Sequence, residues 1–336
     1  MLHWKDYGQM MDDDLGRHDV AEYHFASAAG LPDEPTEAQK AESIDRLNHY
    51  ARCADHFIQR KMPEFHQHPG AYEYCEGLFR VVCMIKVLQT QFGIRYNPAK
   101  KAENAPFTTA DTFIHGALLG DGGTCSSLPV LYAAVARRLG YPLKLVQAKR
   151  HLFCRWDSGE LHRFNIEVND SGVNVHADDY YRHGRYALPP ELEQQTVYLK
   201  SLTPRQELGC FLNERGYRWL DLGQHKQALE SFAWCGMLTP GDKLKESHVA
   251  EVISLWRKSI WERTPPNFPK LQVKMPTARR WPGIPAQLEH EALLLEAWDM
   301  LLNRPQFDAN VASRLPSWPA MRSARVPTSI AVTMHH

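Results

Sequence analysis

Apolar positions in residues 1–200 change period more than once. Leu78, Val81, Val82, Ile85 and Leu88 recur at helical spacing, predicting a helix over Tyr72–Gln91 that Gly93 and Pro98 close. Upstream, Thr36 to about Met62 reads as a helix with Thr36 as its N-cap and Pro63 as its end. Residues 1–35 are mixed, with acids at Asp12–Asp14 and a turn-like Leu31-Pro32-Asp33-Glu34-Pro35. Residues 99–124 are rich in loop residues. A helix over Ser126–Leu139 follows, with Leu128, Leu131, Val135 and Leu139 on one face and Gly140 as its stop. Three extended runs come next, Leu143–Ala148, Leu152–Trp156 and Arg163–Val168, with Asp157-Ser158-Gly159-Glu160 as a hairpin turn between the last two.

The chain changes character near residue 200. Thr203 is a helix cap and Pro204 occupies the first helical position, so helix is expected to about residue 260. Within it, residues 209–242 resemble a single tetratricopeptide (TPR) repeat. Gly216, Trp219, Ala228, Phe232 and Pro240 fill the repeat's small, aromatic, small, aromatic and proline positions, and Arg215 departs from the usual leucine. Asp221-Leu222-Gly223 turns the chain. One repeat cannot build a solenoid, so the hairpin is expected to pack on the preceding domain. Prolines and basic residues cluster from Thr264 to Pro285, a short helix is expected over Ala286–Leu302, and the last stretch has no period. Four segments follow: 1–70, mostly helical and packed on the core; 71–200, the core; 201–262, a helical TPR-like segment; and 263–336, a proline-rich extension.

Composition narrows the function classes. The chain has 336 residues, 43% hydrophobic and 23% charged, which fits globular structure rather than disorder. Lys plus Arg equals Asp plus Glu, 39 against 39, giving no electrostatic reason to expect nucleic acid or an anionic membrane as partner. The start MLHWKDYGQMMDDD lacks the basic-then-apolar form of a secretory signal, so a cytoplasmic protein is expected. Seven cysteines at irregular spacing, with no C-x-x-C, argue against a disulfide framework and a zinc site. His66, His68, His115, His176 and His183 lack metal-ligand spacing, Gly120-x-Gly122-Gly123 is no dinucleotide fingerprint, and neither metal nor cofactor is expected.

The feature that bears chemistry is Gly122-Gly123-Thr124-Cys125-Ser126-Ser127-Leu128-Pro129, a glycine-rich loop entering a helix whose first residue is a cysteine. Free N–H groups and the positive end of the helix dipole favour thiolate there, and thiolate is the nucleophilic form. The same N–H groups can stabilise an oxyanion. A buried cysteine that merely packs at a helix start is the alternative. His151, at the start of a strand, is the candidate base. Parity bears on its partner: if Leu152, Cys154 and Trp156 share the core face with Phe164, Ile166 and Val168, paired numbers sum to an even value, whereas a two-residue Ser158-Gly159 turn would set His151 opposite Ile166. An odd loop such as Ser158-Gly159-Glu160 meets that condition, and His151 then shares a face with Asn165 and Glu167. Either could hold the imidazole in its useful tautomer. Asp178-Asp179-Tyr180-Tyr181 reads as a solvated loop beside the cleft.

These pieces resemble the transglutaminase-like superfamily, whose fold is related to that of papain-like cysteine proteases. The likeness rests on Gly-Thr-Cys at a helix start, Arg137-Arg138-Leu139-Gly140-Tyr141-Pro142, His151-Leu152-Phe153 and Arg163-Phe164-Asn165-Ile166-Glu167. It covers roughly residues 70–245 and is nearest to a bacterial branch in which this domain precedes a TPR-like tail. The resemblance implies an α+β fold, a Cys-bearing helix packed on an antiparallel sheet, followed by a mostly α-helical segment. It implies a nucleophilic Cys125, a base at His151 and an orienting residue at Asn165 or Glu167, where the family usually has Asp. The expected activity is cysteine-dependent acyl transfer or amide hydrolysis on a protein or peptide. The rival is a non-catalytic interaction protein that recruits a partner through the same fold and tail.

Overall fold

The computed structural model describes residues 1–102, 105–159, 162–169 and 171–263, together with 288, 290–292, 294 and 295. The proline-rich stretch from 264 and most of the expected Ala286–Leu302 helix lie outside the described residues.

The mixed first segment folds into three short helices, α1 (Trp4–Gln9), α2 (Asp12–Leu15) and α3 (Val20–Ser27). None shows a helical stripe, because Trp4, Tyr7, Leu15, Val20, Tyr23 and Phe25 are all buried. Next, α4 (Glu37–Gln67) starts at the expected Thr36, whose side chain and that of Gln39 form a capping box. It does not stop at Pro63 but runs through it, since Pro63 is exposed and the missing hydrogen bond falls on the solvent face. A 3₁₀ turn takes up Pro69–Tyr72, so α5 (Glu76–Gln91) begins later than its apolar period suggests. The loop-rich approach contains two small helices, α6 (Thr109–Thr112) and α7 (Ile114–Leu119). Then α8 (Leu128–Arg138) crosses the centre of the core with every residue from Leu128 to Ala136 buried.

Four antiparallel strands follow in simple order, β1 (Leu143–Ala148), β2 (His151–Asp157), β3 (Arg163–Glu167) and a short β4 (Asn174–His176). Cys154 pairs with Ile166 and Arg155 with Asn165, so paired numbers sum to an even value. The connection spans 158–162 rather than three residues and is closed by Ser158 N–H donating to the His162 carbonyl. It is still odd in length, but the register sits two residues from that of a three-residue loop. One face of the sheet packs on α8 through Leu145, Cys154 and Ile166. The opposite face is covered as well, by Tyr181, Tyr186, Tyr198 and Leu199 lying over Val146, Ala148 and Phe153. The Asp178–Tyr181 segment is therefore a helical turn, α9, with Tyr181 buried, rather than a solvated loop; α10 (Pro190–Gln194) follows.

The α+β core is joined to a helical segment, α11 (Pro204–Asp221), α12 (His225–Leu238) and α13 (Lys243–Glu262). Gly223, at φ 69°, makes the turn between α11 and α12. Far from being a detached tail, α11 is gripped on several sides. Glu207, 1% exposed, accepts from Tyr23 Oη at 2.7 Å and Arg137 Nη1 at 2.9 Å. Arg215 donates to the Ser27 carbonyl at 2.9 Å and to that of Ala29, at the C-terminal end of α3. That contact gives the buried Arg215 guanidinium its partners. No helix among the described residues is long and apolar enough to cross a membrane.

Candidate functional site

Cys125 lies in the turn Thr124–Ser127, just ahead of α8 and not within its regular part. Leu128 N–H donates to the Thr124 carbonyl at 2.9 Å in helical fashion, and Thr124 Oγ1 accepts from Ser126 N–H at 3.3 Å while Ser127 Oγ accepts from Thr124 N–H at 2.9 Å. The turn is thus capped like a helix start, with Cys125 in the first position after the cap. The regular helix is delayed because Pro129 has no N–H to return to the Cys125 carbonyl.

Three anchors hold this turn. Thr124 Oγ1 donates to the Asp111 carbonyl at 2.8 Å, fixing it to α6. Gly123 N–H donates to the Arg95 carbonyl at 3.0 Å and its carbonyl accepts from Asn97 N–H at 2.8 Å, so the loop before Cys125 is paired with an extended strip at 95–97. Gly122, at φ 131°, permits this approach; a Cβ there would lie 2.7 Å from the Arg95 carbonyl oxygen. The third anchor is Ser126 Oγ, 3.3 Å from Glu214 Oε2 of α11.

His151 and Glu167 meet directly, with Nε2 and Oε2 2.6 Å apart in a buried setting. Glu167 sits diagonally across from His151, because its direct partner position in the register is Phe153. Its other oxygen accepts from Asn169 N–H at 3.1 Å and Asn169 Nδ2 at 2.7 Å. Burial raises the Glu167 pKa, but the His151 ring and the Asn169 donors outweigh it and hold the carboxyl below its usual range. An ionised carboxylate only accepts, so Nε2 carries a proton and Nδ1 is the nitrogen left for chemistry.

Asn165 is placed elsewhere. Its side chain accepts from Arg155 Nε at 2.6 Å and donates to Asp178 Oδ1 at 2.8 Å. Arg155, fully buried, also donates to Asp178 Oδ1 at 2.5 Å and to the Leu199 carbonyl at 2.9 Å. Asn165 therefore ties the covering layer to the sheet and makes no bond to the imidazole.

The structure does not join Cys125 to His151: among the described residues no hydrogen bond links the thiol to the ring. Cys125 and Cys53 keep partial exposure while the other five cysteines are buried. Burial first, then the charges of Glu214 and Glu167, push the Cys125 thiol up to about 11. The helix-start position expected to favour thiolate is thus outweighed in the resting site.

Two neighbours escaped the sequence reading. The Tyr96 phenol lies against the Cys125 thiol and backbone, and burial together with that thiol raises its pKa. Nothing in the sequence marks it, because its place depends on the pairing of residues 95–97 with Gly123. Glu214 is the other. Its one clue is its setting, between Asn213 and Arg215 on a helix that buries Leu208, Phe211, Leu212 and Trp219.

No curated protein and no solved structure matches the chain. Residues 58–213, a span that runs from within α4 to the residue before Glu214 and carries Cys125, His151 and Glu167, match the family model of the transglutaminase-like superfamily.

Proposed function

We propose that the protein is a cysteine-dependent acyl-transfer or amide-hydrolysing enzyme acting on a protein or peptide. The observation that carries this reading is the His151 Nε2–Glu167 Oε2 contact of 2.6 Å, which leaves Nδ1 basic, in a domain whose partly exposed cysteine stands at a capped helix entrance. Cys125 Sγ attacks the acyl carbon as its proton passes to His151 Nδ1. The S–C bond forms, and the carbonyl becomes an oxyanion beside the Tyr96 hydroxyl. Collapse breaks the C–N bond, and the imidazolium returns its proton to the departing amine. Water or a second amine then attacks the thioester, His151 taking the incoming proton, and Cys125 leaves with it. Glu167 holds the ring and balances its charge.

The second reading is a non-catalytic interaction protein, with the TPR-like hairpin as part of a scaffold. Two observations favour it: the thiol is pushed up to about 11, and it has no hydrogen bond to His151. Alkylation of Cys125 as a function of pH, followed by peptide mapping, separates the readings. An enzyme gives an apparent pKa well below the ~8.5 of a free thiol, returning to or above that value in His151→Ala and partly in Glu167→Gln. A Cys125 that titrates above ~8.5 and ignores both substitutions is a scaffold cysteine.

A further inference from the structure

Glu214 is an acid in an unusual position. It projects from α11 to within 3.3 Å of Ser126 Oγ, one residue from Cys125, although 88 residues separate the two in sequence. Protein surrounds it, yet Glu214, Tyr217, Cys125 and Ser126 all retain partial exposure, so none of the four is sealed from solvent.

No ion pair reaches Glu214 among the described residues. The nearest cation on its own helix, Arg218, is committed to Asp221 at 2.8 Å and to the Phe107 carbonyl. From α13, Lys245 Nζ is held by Cys210 Sγ at 3.1 Å. His248, also on α13, is bonded to Asn213 Oδ1 at 3.0 Å and Tyr217 Oη at 3.1 Å. A partly exposed carboxyl beside a nucleophile, whose cationic neighbours Arg218 and Lys245 act on it only through space and are outweighed by its burial, offers a charge for an incoming group to satisfy.

We propose that Glu214 is a specificity-determining residue that favours substrates carrying a positive charge, such as a lysine or arginine side chain of a peptide, next to the carbonyl that Cys125 attacks. This rests on the reading of Cys125 as the reacting group, but its test does not need turnover. A cation seated on Glu214 also removes one of the two charges that oppose ionisation of the thiol. Substrate binding and activation of the nucleophile would then be one event.

The test compares two methanethiosulfonate reagents of like size, the cationic 2-(trimethylammonio)ethyl and the anionic 2-sulfonatoethyl compounds. Each transfers its alkylthio group to a cysteine thiolate, forming a disulfide and releasing methanesulfinate. Because both report on the same thiolate, the cation-to-anion rate ratio cancels its degree of ionisation. Cys53, also partly exposed, is the internal reference in the same full-length sample. The ratio at Cys125 is expected to exceed that at Cys53 by at least about tenfold, because the two reagents feel the same charge with opposite sign. The excess should shrink in high salt.

Burial raises the Glu214 pKa against the pull of Arg218, Ser126, Asn213 and Lys245, so the ratio should also climb with pH as the carboxyl ionises. Glu214→Gln should bring the ratio to that of Cys53. Ser126→Ala, which removes the hydrogen bond but keeps the charge, should leave it high. Equal ratios at Cys125 and Cys53 in the wild-type protein overturn the proposal without touching the enzyme reading, as does a high ratio that survives Glu214→Gln.

Discussion

Replacing His115 with leucine should flatten the acid limb of the stability curve. His115 is 5% exposed in α7, and neither ring nitrogen completes a hydrogen bond, although the Asp33 carbonyl lies close to the ring. Burial holds its pKa down at about 4, against 6.5 unperturbed. The unfolded chain therefore binds a proton that the folded one refuses. Stability is fully present above pH 6.5 and is lost as pH falls toward 4. With those two values, linkage gives a loss from this one residue of about 2 kcal/mol at pH 5 and about 3 kcal/mol at pH 4. His24, buried beside it, and His248 are depressed for the same reason and steepen the same limb. The assay is urea unfolding of the wild type and of His115→Leu at pH 7.5 and pH 5. The difference between the two pH values should be smaller in the variant by about 2 kcal/mol. Leucine also removes two buried nitrogens without partners, so the variant should be no less stable at pH 7.5. An unchanged pH difference would refute the argument, because the proton uptake would then belong to other groups.

Two more substitutions probe the frame that positions the site. Arg155→Met leaves Asp178 and Asn165 without their shared donor and should cost about 3 to 5 kcal/mol by urea unfolding, with Arg155→Met/Asp178→Asn recovering part of that loss. Gly116→Ala places a Cβ 1.9 Å from the Ala110 carbonyl oxygen, which belongs to backbone that cannot swing away, and should cost at least about 2 kcal/mol. The control is Gly236→Ala, where open space surrounds a position inside α12; thermal unfolding should show it neutral or about 0.5 to 1 kcal/mol more stable.

What could be read from residues alone was what has a period or a cap. Thr36 and Thr203 are both the expected N-caps, each closing a capping box as well, and the even-sum parity of β2 and β3 put His151 and Glu167 on one face. Parity could not choose between Asn165 and Glu167, since both satisfy it. The choice came from Arg155, which sits directly opposite Asn165 and takes its amide. The helices of the first segment carry no stripe because they are buried on several sides, so the pattern of a surface helix is absent. Pro63 and Pro129 act in opposite ways, and only the first was read, as a helix end. The first interrupts a helix only on its wet face, and the second delays one that its caps had already begun. Glu214 was missed because a glutamate on a helix normally faces water.

The grip on α11 bears on the order in which the protein can be made. During synthesis α1 to α3 emerge first, but Tyr23 and the carbonyls of Ser27 and Ala29 find their partners only in Glu207 and Arg215, roughly the length of a whole domain later. Cys125, His151 and Glu167 leave the ribosome in that interval, before Glu214 can reach Ser126. A nascent chain paused ahead of α11 would thus leave Ser126 without Glu214 and the end of α3 without Arg215 together, which makes α11 the segment whose arrival locks the first helices onto the core.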